Sequence, residues 1–153
     1  MMHWVQKRSL PIPALTIADP ALVVAYRYWS DRRNGDFLPA RCAIDTPTFR
    51  LLVPDTIWLC KGAYCGRLAP YASATRGDET PTTLGEVLRH DVDAALATCV
   101  PSLQLIEVKV RGCPVLYQQL LLPTADDGVH ANELIEVSRL GALRLVRPGA
   151  NAA

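Results

Sequence analysis

The sequence has no C-x-x-C pair, no glycine-rich phosphate loop and no H-E-x-x-H helix motif. These absences remove the usual local signatures of a zinc knuckle, a nucleotide cradle and a zinc protease. Charge of neither sign dominates, since 16 Lys and Arg face 15 Asp and Glu for a net charge of +1. Such a balance gives no long-range field for gathering nucleic acid or an anionic membrane. The basic stretch "YRYWSDRR" is interrupted by Asp31 and reads as a solvated helix face. No apolar run approaches the roughly 20 residues of a membrane-spanning helix. In "MMHWVQKRSLPIPALTI", prolines break the apolar part before the continuous core of a secretory leader forms. The resulting expectation is a cytoplasmic protein. The five cysteines (Cys42, Cys60, Cys65, Cys99 and Cys113) are odd in number and irregular in spacing. A disulfide framework is therefore not expected, and the thiols are expected to pack as small buried hydrophobes.

What is present is a chain of 153 residues, half of them hydrophobic, which fits one domain with a real core. Residues 1–18 read as an irregular arm, because Pro11 and Pro13 resist helix. The domain proper is expected over residues 19–141, with a frayed tail over 142–153. Asp19 is a good N-cap, Pro20 suits the first helical position and Asn34-Gly35 supplies a stop. Between them Leu22, Tyr26 and Trp29 recur at helical spacing and form an aromatic stripe. A short helix is expected after Asp45 or Thr46, ending at Pro54. "TIWLCKGAYCGRLAPYAS" reads as two strands around Lys61-Gly62, and "ATRGDETPTTLG" as a loop whose Arg-Gly-Asp is incidental. "TLGEVLRHDVDAALATCV" reads as helix in one or two pieces, closed by Pro101.

The last third changes period. Ile106, Val108 and Val110 alternate with Glu107, Lys109 and Arg111, as in a half-buried strand. "PVLYQQLLLP" and "NELIEVSRL" follow as two further strands, with Leu134 out of phase in the second. Short links make the three an antiparallel meander. The fold class expected is α+β: five antiparallel strands, helices inserted between the second and third, and an amphipathic helix in front. One sheet face meets the inserted helices and the other meets the N-terminal helix, so that "VLYQQLLL" is apolar on both sides.

The pieces "YWSDRRNGDFLPARCAID", "LLVPDTIWL", "GRLAP" and "LLLPTADDG", in that order over Tyr26 to Val137, resemble a family of small bacterial PAS-like domains that often stand alone. The resemblance implies a five-stranded sheet cupping a pocket beneath short helices. It also implies sensing, ligand binding or protein contact in signalling rather than catalysis. This chain has Pro70 and Thr82 where the family has glycines on the pocket wall.

The site candidates follow from this frame. Trp58, Tyr64, Tyr71 and Tyr117 are candidates for an aromatic cavity, with Leu88 and Cys99 from the helical roof. Arg67 is a cation on an apolar strand, available to an anionic group or to Asp78 or Glu79. Gln119 is a polar residue in an apolar strand and needs a partner if buried. His90 is the one histidine placed where a haem ligand would sit, but a surface histidine is the preferred reading and no cofactor is expected. Asp126, Asp127 and His130 are read as a hairpin turn, although a metal site would use the same residue types.

The expected function is a sensor that binds a small, largely apolar molecule. It would signal by non-covalent contact with a protein partner or a second copy. Leu22, Tyr26 and Trp29 are the interface candidates and a homodimer the expected assembly. A ligand-free interaction module is the alternative, and a small metal-dependent hydrolase the third reading.

Overall fold

The computed structural model describes residues 4–17, 19–52, 57–60, 75–76, 84–110 and 113–140. Its strands are β1 (Trp4–Leu10), β2 (Ile57–Cys60), β3 (Thr75–Arg76), β4 (Ser102–Val110), β5 (Cys113–Thr124) and β6 (Glu133–Leu140). Its α-helices are α1 (Pro20–Asp31), α2 (Thr46–Leu52) and α3 (Leu84–Thr98), with 3-10 turns at Ile12–Ile17 and Arg41–Ala43. The sheet order is β2-β6-β5-β4-β1-β3, antiparallel throughout except where β3 meets β1. The class is therefore α+β.

The meander stands as expected: β4 lies antiparallel beside β5 with Gln104 opposite Gln119, and β5 beside β6 with Gln119 opposite Ser138. The arm does not. Residues expected to be irregular form β1, which pairs with β4 from Trp4↔Lys109 to Leu10↔Leu103. The prolines at 11 and 13 act only after the strand, where the chain enters the 3-10 turn, so they end β1 rather than prevent it. The strand expected on the far side of Lys61-Gly62 lies outside the described residues.

Both sheet faces are covered, and the alternation along β5 sorts its leucines between them. Leu120 and Leu122 join Leu103, Ile135 and Val137 in a core with Leu22, Ala25, Tyr28 and Trp29 of α1. Leu121 joins Leu134, Val92 and Ala95 under α3. All three leucines are fully buried, as a strand in the middle layer of a sandwich requires. Leu134 is indeed out of phase with Ile135 and Val137, and it faces the other covered side. On α3, Leu88, Asp91, Val92 and Ala95 are buried at spacings of three and four, so the stretch is one continuous helix with one inward face.

The start of α1 is chemically defined. Asp19 accepts a hydrogen bond from Ala21 N at 2.8 Å and Pro20 opens the first turn. Asp19 N in turn donates to Gln118 Oε1 at 2.9 Å, and Asp19 Oδ2 meets Arg139 Nε at 3.4 Å, tying the cap to β5 and β6. Trp29 Nε1 donates to Pro123 O at 2.8 Å at the other end of the helix. Tyr28 stacks on Phe49 of α2 with ring centroids 4.8 Å apart, and the Arg32 guanidinium lies 3.3 Å above the Tyr28 ring. Leu22 and Trp29, expected at an interface, are fully buried in this chain's own core, and only Tyr26 of that trio is partly exposed.

Candidate functional site

Residues of the segment after α1 are bonded to one another and to neighbouring elements. Asp45 N donates to the Tyr28 hydroxyl at 3.1 Å. Arg41 donates to Ile44 O at 3.2 Å and to Thr46 Oγ1 at 2.7 Å, and Nε lies 3.9 Å from Glu133. Leu38 N donates to Gly128 O at 2.8 Å and Ala125 N to Pro39 O at 3.1 Å. The segment after α1 is therefore laced to the acidic corner between β5 and β6, and these polar groups serve the scaffold.

That corner is a hairpin loop. Asp127 Oδ1 accepts from Val129 N at 2.8 Å and His130 N at 2.7 Å, while Oδ2 lies 2.7 Å from His130 Nδ1. These bonds to His130 N, Val129 N and the imidazole lower the Asp127 pKa from its ordinary 3.8 to about 2. Asp126 turns the other way and accepts from Asn132 Nδ2 at 3.0 Å. The pairing of Asp127 with His130 was not expected, since neighbouring turn side chains were expected to diverge. Here Asp127 bridges forward to both the backbone and the ring of the third residue on. Among the described residues, no three His, Cys, Asp or Glu side chains are placed to hold a metal ion. Gly128 has φ +79°, and a Cβ there would stand 3.2 Å from the Phe37 ring, so the loop needs glycine on both counts.

The chemically unusual place is the sheet face under α3. Directly opposed residues of an antiparallel pair point to the same side, so Gln104, Gln119 and Ser138 form one row across β4, β5 and β6. All three are buried, at 3%, 0% and 0% exposure. Gln119 Oε1 and Nε2, Gln104 Oε1 and Ser138 Oγ have no hydrogen-bond partner among the described residues. Glu136, also fully buried, lies two residues along β6, opposite Leu121 and Trp58. An unpaired buried amide or hydroxyl costs about 1–3 kcal/mol, so this row is expensive in the chain alone.

The sequence candidates distribute unevenly around it. Gln119 lies at its centre, buried as its apolar neighbours implied. Leu88 is fully buried on α3. Trp58 and Tyr117 have their backbones in β2 and β5, and Tyr64, Arg67 and Tyr71 lie outside the described residues, as do Pro70 and Thr82. Cys99 is half-buried at the end of α3 with φ 57°, and its thiol bonds Val129 O at 3.3 Å, away from the row. His90 has an 80% exposed side chain and points to solvent. Cys42 is exposed, contrary to the expectation of buried thiols, because it sits in the 3-10 turn at the surface. Sequence reasoning missed Gln104, Ser138 and Asp91. For Gln104 and Ser138 the signal was present, since each is a polar residue at a core-facing place in a strand; Asp91, flanked by Arg89, His90 and Asp93, gave none.

No described helix is long and apolar enough to cross a membrane. Comparison with protein-family models, with curated proteins and with solved structures finds no match.

Proposed function

We propose that this chain is a PAS-like sensory domain that binds a small, largely apolar molecule against the α3 face of its sheet. The observation that carries the reading is Gln119. It lies in the central strand, is fully buried, and has both amide atoms without a partner among the described residues. A ligand with an apolar body and one hydrogen-bonding group would satisfy that amide while contacting the surrounding leucines. The antiparallel meander, with α1 on one face and α3 on the other, supports a sheet that can cup a guest under α3. Occupancy would bias the packing of α3, and the signal would pass by non-covalent contact to a protein partner.

Native mass spectrometry of freshly purified protein tests this. The expected result is a bound small molecule in the wild type that is absent from Gln119→Leu. The unliganded variant should also melt higher than unliganded wild type, because leucine removes the unpaired amide at similar volume. An empty wild type whose stability is unchanged or lowered by Gln119→Leu would refute the reading.

A ligand-free interaction module has one observation in its favour. Phe37 (53% exposed) leans on Gly128, and Val129 (50%) follows directly, giving an apolar spot at the hairpin corner. Substituting Phe37 by serine would then abolish partner capture while leaving any small-molecule binding intact.

A further inference from the structure

We infer that a second binding site lies in the cleft between the C-terminal end of α1, the segment that follows it and the β5–β6 hairpin loop, and that it takes a small zwitterion of the α-amino-acid kind. The cleft is about 370 Å³. Leu38, Pro39, Ala40 and Ala125 give it an apolar lining, and Arg32 and Asp126 add one charge of each sign. That volume suits a compact guest rather than a nucleotide.

Both charges are held in place by neutral groups. The Arg32 guanidinium lies 3.3 Å over the Tyr28 ring and donates Nη1 to Tyr28 O at 3.1 Å. Tyr28 is itself stacked on Phe49, so the cation rests on a packed aromatic pair. Its Nε and Nη2 have no partner among the described residues, and together they form the edge that grips a carboxylate in two places. Asp126 Oδ2 accepts from Asn132 Nδ2 at 3.0 Å, while Oδ1 has no partner among the described residues. The loop that carries Asp126 is stitched to the opposite wall by Leu38 N to Gly128 O at 2.8 Å and Ala125 N to Pro39 O at 3.1 Å. The two charges are thus preorganised, and neither is spent on an opposite charge among the described residues. Asp127, which also lines the cleft, has its carboxylate engaged by Val129 N, His130 N and the imidazole.

An anion here would meet Arg32 but also two carboxylates, and a cation would meet Asp126 but also the guanidinium. A zwitterion sets its carboxylate on the Nε–Nη2 edge and its ammonium on Asp126, with an apolar side chain against Leu38 and Pro39. None of Gln104, Gln119 and Ser138 lines this cleft, so the site stands independently of the sensory reading.

The test is calorimetric titration of the whole chain with L-leucine, with isocaproate and isoamylammonium as its carboxylate-only and ammonium-only counterparts. The expected result is saturable binding of leucine and none of the other two over the same range. Arg32→Gln and Asp126→Asn should each weaken it about tenfold or more, as loss of one charge-assisted contact does. Gln119→Leu should leave the affinity unchanged. Should Arg32→Gln disturb the Tyr28 stack, Asp126→Asn still decides, because asparagine keeps an oxygen for Asn132 while losing the charge. No saturable binding, equal binding of either counterpart, or an affinity indifferent to Asp126→Asn would overturn the assignment.

Discussion

Asp127 shows how much a single carboxylate can organise. Two backbone N–H groups and the His130 ring converge on it, and its pKa falls to about 2 as a result. A group held below its ordinary value stabilises the fold fully above 3.8, and that contribution is lost as pH falls toward 2. Carbon-detected NMR titration of the carboxyl should place its midpoint near 2, and Asp127→Asn should abolish the acid-range change in the Val129 and His130 amide shifts. Gly128 is the companion constraint. Alanine there meets both an unfavourable φ and the Phe37 ring, with an expected cost of about 1–2 kcal/mol in chemical denaturation.

At the scale of elements, α1 is the strut of the domain. Its cap reaches β5 and β6 through Asp19, and its far end reaches Pro123 through Trp29. Trp29→Phe keeps an aromatic ring but orphans a buried carbonyl and leaves a small void, so a loss of about 2–3 kcal/mol is expected by urea unfolding. Asp19→Ala removes the cap and the Arg139 contact together, with an expected loss of about 1–2 kcal/mol. The α1 boundaries were legible because Asp19-Pro20 is an unambiguous local signal. The meander was legible because alternation and short links are local too. What was not legible was pairing at long range. β1 has no alternation strong enough to announce a strand, and its partner lies about a hundred residues later in the chain. The same holds for the row under α3. Residue-by-residue reading singles out Gln119, but only the register of three strands brings Gln104 and Ser138 beside it.

For the whole molecule, β1 extends the meander past β4 and moves the sheet margin outward. Removing residues 1–11 would uncover the outer edge of β4, an unpaired row of backbone groups open to another chain. The truncated protein is expected to self-associate in size-exclusion chromatography and to lose amide protection along Leu103–Lys109 by hydrogen exchange. A monomer with those amides still protected would contradict the pairing. The same view bears on assembly. With Leu22 and Trp29 enclosed, Tyr26 is the one residue of that stripe left to a dimer built on α1.

The glutamine–glutamine–serine line across the central strands has a last consequence, for how the chain finds its alignment. If β5 slid by one residue against either neighbour, Gln119 would turn into the greasy layer around Trp29, and Leu120 would take its place. Leucine-rich strands alone would tolerate such a shift, since both sides of the sheet are oily. The hydrophilic file makes the slipped arrangements costly, and so acts as a key that admits one alignment of the three strands.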